Sequence, residues 1–155
     1  MSDPINPDHY KRRSDHPSRV ECIELIERMP ALLANVVKYL YRAGVKTPSP
    51  VADLRKAAWY LERATRAPHG IRLTWNGGTK TVRAALVRWT RAPGGTRMLA
   101  HIRGTLCTIL DTLDGEGCKV NLQIRAVMLR QAADRIERDE TLVGVAVRVP
   151  HKGAP

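Results

Sequence analysis

The chain has 155 residues, enough for one ordinary hydrophobic core or two very small ones. Its 26 Lys and Arg against 15 Asp and Glu give a net charge of +11, which attracts polyanions such as nucleotides, nucleic acid or an acidic partner without choosing among them. An apolar content of 43% excludes global disorder. No apolar run reaches membrane-spanning length and no signal-peptide pattern opens the chain, so the expectation is a cytoplasmic protein with no membrane partner. The three cysteines have neither paired nor zinc-site spacing, and are expected as buried thiols in a reducing compartment.

Residues 1–17 read as an extended arm, because Pro4, Pro7 and Pro17 break helix formation. A first helix is expected from about Ser18 to Arg28, with Ser18 as N-cap and Glu21 completing a capping box. A second is expected from about Pro30 to Ala43. It places Val36, Val37 and Leu40 on one side and Asn35, Lys38 and Arg42 in a polar stripe. Gly44 suits its C-terminus, and Pro48 and Pro50 prevent it from continuing. A third helix, Val51 to Arg66, has Leu54, Ala57, Ala58 and Leu61 on its apolar side. Its polar stripe is Asp53, Lys56, Tyr60 and Arg63, with Asp53 in the first turn facing the helix dipole. Together the second and third helices make an αα-hairpin with a cationic and aromatic rim, Trp59 being read as core.

Ala67-Pro68-His69-Gly70 marks a boundary between an N-terminal helical module (18–67) and a C-terminal region (71–150). Ile71, Leu73 and Trp75 alternate with polar residues as in a strand, and Asn76-Gly77-Gly78 is a turn signal. From Thr79 to Trp89 a returning strand and a helix are both open, and Val82, Leu86 and Trp89 favour the helix. Met98, Ile102, Leu106, Ile109 and Leu113 recur at helical spacing, as do Leu122, Ala126, Leu129, Ala133 and Ile136 after an Asp114–Gly117 loop. Alternating valines from Val143 to Val149 read as a last strand, with 151–155 as a tail. The expected fold is therefore mainly α, a three-helix module followed by an α+β C-terminal end with a few short strands.

Several chemistries are excluded by missing motifs. There is no GxxxxGK[ST], so a Walker-type phosphate cradle is absent, and there is no GxSxG or HExxH. Glu21 and Glu24 form one acidic pair, but no second pair faces them, which counts against a metal-dependent all-α nucleotide pyrophosphatase. No metal site is expected. Phosphoryl transfer demands little covalent chemistry; it needs in-line positioning and positive charge on the phosphate oxygens. Lys38 and Arg42 share a helical face, Lys46 follows in the loop, and Arg55 and Lys56 begin the next helix. Such cations either converge on a phosphate, Arg42 gripping it bidentately, or form a solvated face. Tyr10 and Tyr41 are the candidates for stacking on a base. His9 is either a general base or phosphate ligand, or an anchor for the arm. Asn35 either reads a base edge or caps a neighbouring backbone group. Glu24 is a candidate to orient a ribose hydroxyl or activate an acceptor. In the C-terminal half, Arg83, Arg88, Arg91, Arg97 and Arg103 form either a nucleic-acid surface or a solvated one.

Four pieces in order carry a resemblance: Asn6-Pro7-Asp8-His9-Tyr10, Glu21-Cys22-Ile23-Glu24, Lys38-Tyr39-Leu40-Tyr41-Arg42-Ala43-Gly44, and Asp53-Leu54-Arg55-Lys56-Ala57-Ala58-Trp59-Tyr60-Leu61. They resemble a small phage family that includes a nucleotide kinase without a P-loop. The resemblance covers roughly residues 6–65. It departs from the pattern in a basic insertion, Lys11 to Arg19, in Tyr41 where Trp is more usual, and in the half after Arg66. It implies phosphorylation of a deoxynucleoside monophosphate, with a nucleoside triphosphate as donor, in the cytoplasm of a phage's host. Lys38, Arg42, His9 and Glu24 would then be catalytic, and Asn6, Tyr10, Asn35, Tyr41, Lys46, Arg55 and Lys56 would bind nucleotide. Use of Mg2+ and homo-oligomerisation stay open. Two other expectations remain beside it: a non-catalytic module that binds nucleic acid or sequesters a nucleotide, and a helical adaptor for assembly.

Overall fold

A computed structural model of the protein describes residues 5, 7, 10, 21–67, 84–87, 89, 97–113 and 119–138. The described helices are α1 (Cys22–Ile26), α2 (Ala31–Arg42), α3 (Val51–Arg66), α4 (Arg97–Leu113) and α5 (Lys119–Arg138), with a short helical piece at 84–87 and 89. Among the described residues there is no strand. This corrects the expected α+β C-terminal end: the described part of that half is helical, dominated by two long helices. The 3.6-residue spacing of Ile102, Leu106 and Ile109, and of Leu122, Ala126 and Leu129, gives each helix a buried side, and all six are buried. The expected strands at 71–75 and 141–149, and the tail, lie outside the described residues.

Helix α3 is central. It packs against α2 on one side and α5 on the other, while α4 packs against α5 and α1 against α2. The α2–α3 hairpin is antiparallel, since Arg42 at the end of α2 meets Asp53 at the start of α3. Gly44 takes a φ of 74°, a left-handed conformation that ends α2 at little steric cost. The amides of Val45 and Lys46 both reach back to the Arg42 carbonyl. Helix α5 also runs antiparallel to α3: Arg55 bonds Asp134 and Glu137, and Arg130 bonds Glu62 one end further on.

Leu33, Val36, Leu40, Leu54, Leu61, Leu106, Leu122 and Leu129 have almost no exposure and belong to one apolar cluster that runs from Cys22 to Ile136. Burying each such side chain contributes about 1.5–3 kcal/mol. Trp89 joins that cluster, edge-on to Tyr41 with ring centroids 5.7 Å apart. On α4, Thr105, Thr108 and Thr112 are buried with their hydroxyls satisfied. Each donates to the carbonyl four residues back. Arg125 of α5 crosses close over Gly104 and donates to Thr108 Oγ1 at 3.0 Å.

Two expectations about individual side chains change here. The sequence pattern places Trp59 in the core, but it is 53% exposed. On α3 the buried residues Leu54, Ala57, Ala58 and Leu61 already meet both neighbouring helices, and Trp59 lies on the opposite side of the wheel. The α1 capping box lies three residues later than expected. Glu21 is the N-cap, its amide donating to Glu24 Oε2 at 3.0 Å, and Ser18 is outside the described residues.

Candidate functional site

The hairpin rim is built around Tyr39. Its ring has three cations near it: Arg42 Cζ at 4.6 Å, Lys38 Nζ at 5.0 Å and Lys56 Nζ at 5.5 Å from the centroid. The i, i+4 relation puts Lys38 and Arg42 on one face of α2, and antiparallel packing brings Lys56 of α3 to the same ring. The ring's negative face attracts all three, and it holds cations together that would otherwise repel one another. Tyr39 stacks on Tyr60 at 5.5 Å, and Tyr60 meets Trp59 at 4.9 Å with planes at 87°.

Beside this rim lies a pocket of about 310 Å³, at the small end of the range for ligand sites. Ile5 and Tyr10 of the arm line it with Cys22, Ile23 and Ile26 of α1 and Lys38 of α2. Its walls are mostly apolar, and Lys38 supplies the positive charge. Burial pushes the Cys22 thiol up to about 12, against the smaller opposing pull of Lys38 and Arg42, so this thiol is neutral at physiological pH.

Arg42 has a different role from the phosphate grip expected of it. Its side chain is 10% exposed and that of Asp53 7%. Nε and Nη2 both donate to Asp53 Oδ1, at 2.9 and 2.7 Å, and Nη1 donates to the Tyr10 hydroxyl at 3.0 Å. Burial disfavours the guanidinium charge, but the bonds to Asp53 and Tyr10 outweigh it and raise the pKa above its ordinary value. With its fork committed, Arg42 is a positioning residue that ties Tyr10 to the hairpin. Asp53, expected in the polar stripe of α3 and as a dipole partner, is instead the buried counter-charge. The signal that could have revealed it is the closure of the hairpin, which sets the last turn of α2 opposite the first turn of α3.

The other expected site residues divide. Lys38, Lys56 and Tyr10 come together at the rim and pocket. Tyr41 is 1% exposed and packed on Trp89, so it presents no face to a base. Arg55 leaves the group. It turns to Asp134 and Glu137 of α5, whose carboxylates hold its pKa well above the ordinary arginine value. Asn35 donates to the Ala31 carbonyl at 2.9 Å, the backbone role of its two alternatives. Glu24 closes the α1 capping box. Lys46 is exposed in the loop after α2. Asn6, His9 and the arginines at 83, 88 and 91 lie outside the described residues or side chains. Reading for polar groups missed Ile5, Cys22, Ile23 and Ile26 as pocket walls, because apolar residues on a short helix carry no local sign that one side is left open.

No group of three His, Cys, Asp or Glu among the described residues is placed to hold a metal ion. No described helix is long and apolar enough to cross a membrane. The class defined by these features is a helical domain with a small, mostly apolar pocket flanked by a cation-ringed tyrosine. Residues 5–62, which supply both arm and hairpin, match the model of a protein family of unknown function, DUF3310. Neither a curated protein nor a solved structure matches the chain.

Proposed function

We propose that this protein binds a nucleotide between its N-terminal arm and the α2–α3 hairpin. The reading rests on one observation: Lys38, Arg42 and Lys56 converge on Tyr39 beside a pocket that Ile5 and Tyr10 border. The apolar walls suit the flat face of a base. Lys38 and Lys56 are the cations available to phosphate oxygens, while Arg42 holds the arm through Tyr10. The reaction we propose is phosphoryl transfer from a nucleoside triphosphate to a deoxynucleoside monophosphate, as the resemblance of the hairpin pieces to a P-loop-less phage nucleotide kinase implies. Such a reaction depends on charge and positioning rather than on a covalent intermediate. The arm would exclude water from the transferred group, as lids do.

A thermal-shift panel of nucleoside mono- and triphosphates tests the binding, because a ligand of the native state raises apparent stability. Lys38→Ala is expected to weaken the nucleotide that responds by about 1.5–3 kcal/mol, the range for hydrogen bonds to charged groups. Chromatographic detection of diphosphate product then tests the transfer. Unchanged affinity in Lys38→Ala would remove the site. Binding without product from any nucleotide pair would leave a sequestering module.

A second reading, an adaptor, is favoured by one feature of α5. Val120, Ile124 and Val127 recur at i, i+4 and i+7 and are each more than half exposed. Light scattering over a concentration series checks whether this face joins copies of the chain.

A further inference from the structure

The outer face of α3 is charged asymmetrically. Its two acids are turned away from it: Asp53 pairs with Arg42 and Glu62 with Arg130. Its exposed Arg55 is neutralised by Asp134 and Glu137. What remains on the solvent side is Lys56, Trp59, Arg63 and Arg66, at i, i+3, i+7 and i+10, all exposed. No described carboxylate pairs with these three cations. At 1.5 Å per residue the stripe is about 15 Å long, with an exposed indole between its cations.

An indole that is 53% exposed costs solubility and contributes little to the core, which Leu54, Ala57, Ala58 and Leu61 already fill. It stands at the open end of the ladder Tyr39–Tyr60–Trp59, so its orientation is held by an edge contact with Tyr60 rather than by burial. A fixed, open aromatic face between cations suits a chain of alternating flat rings and phosphates. A duplex hides its bases and offers an indole nothing to stack on, whereas a single strand offers both.

We propose that the Lys56–Trp59–Arg63–Arg66 stripe of α3 binds single-stranded nucleic acid, one base stacking on Trp59 and neighbouring phosphates lying on Lys56, Arg63 and Arg66. Of these residues only Lys56 also belongs to the cationic rim around Tyr39, and none of them lines the pocket, so Lys38 tests the nucleotide assignment while Trp59, Arg63 and Arg66 test this one.

The test uses the full chain and a fluorescein-labelled thymidine homopolymer about 15 nucleotides long, within the footprint of small single-strand binders. Anisotropy is titrated at several salt concentrations. Three phosphate contacts at about −0.7 each predict a log–log salt slope near −2. Trp59→Ala is expected to weaken binding about 5- to 150-fold, the usual loss of one stacked base, and Trp59→Phe to recover part of it. Arg63→Gln with Arg66→Gln should bring the slope near −0.7, while the charge-matched control Arg28→Gln with Arg138→Gln should leave it nearly unchanged. Lys38→Ala should spare the oligonucleotide. Trp59 is exposed, so its loss leaves the fold intact. The proposal is overturned if Trp59→Ala binds as the wild type does. It is also overturned if a duplex binds as tightly as the single strand, or if the control pair weakens binding as much as the Arg63/Arg66 pair. Loss of oligonucleotide and mononucleotide together in Lys38→Ala would likewise refute it, by showing one site instead of two.

Discussion

Replacing Asp53 by Ala should damage this protein more than removal of any surface charge. Asp53 and Arg42 have side chains 7% and 10% exposed, and two guanidinium nitrogens converge on the single oxygen Oδ1. Burial works against the Arg42 charge, and the bonds to Asp53 and Tyr10 overcome it. Without the carboxylate, the guanidinium stays charged, buried and bonded only to Tyr10 among these partners. Breaking a buried pair from one side costs about 3–5 kcal/mol, a large part of the roughly 5–15 kcal/mol that stabilises a typical domain. Urea unfolding followed by far-ultraviolet circular dichroism should show a lower midpoint at unchanged slope. The double variant Arg42→Met with Asp53→Leu should lie much closer to wild type, because it leaves no unpaired charge behind. It should also loosen the arm, seen as faster proteolysis near Tyr10, since the Arg42–Tyr10 bond is lost with it. A cost below about 1 kcal/mol for Asp53→Ala, the range of an exposed pair, would refute the reasoning. So would a double variant less stable than the single.

Further outcomes follow from burial and charge elsewhere. Leu61 has no exposure at the centre of α3, and Leu61→Ala should cost about 2–5 kcal/mol in the same unfolding assay. Cys22, its thiol pushed up to about 12 by burial, should resist iodoacetamide at pH 8 in the native protein, while exposed Cys107 reacts; peptide mapping distinguishes them. Burial, and then Arg135 and Arg125, lower the His101 pKa below its ordinary value of 6.5. The unfolded chain therefore takes up this proton at a higher pH than the folded one. The His101 contribution is present above about pH 6.5 and is lost as pH falls from there towards the folded value. Melting temperatures between pH 8 and 5 should fall less steeply in His101→Gln.

Helix positions were legible in the sequence wherever a one-sided apolar pattern met a stop signal. Val51–Arg66 coincides with its expected bounds, and α2 lies within about a residue of its own. Gly44 as the end of α2, and Leu40 and Leu61 as core, follow from the same local rules. What periodicity does not reveal is how many neighbours a helix has. Helix α3 is flanked by both α2 and α5, and that decided that Trp59 faces water and that Arg55 pairs with α5 rather than joining the cationic rim. Tyr41 and Arg42 stand side by side in the sequence, yet packing against Trp89 took the first into the core, and closure of the hairpin set the second against Asp53. The pocket is likewise a product of assembly, since its walls come from the arm, α1 and α2 and it exists only where they fail to fill the space between them. Helix formation is a local balance of backbone hydrogen bonds and side-chain pattern, and the sequence by itself determines it. The pairing of a buried charge depends on which groups desolvate together, and only the tertiary structure decides that.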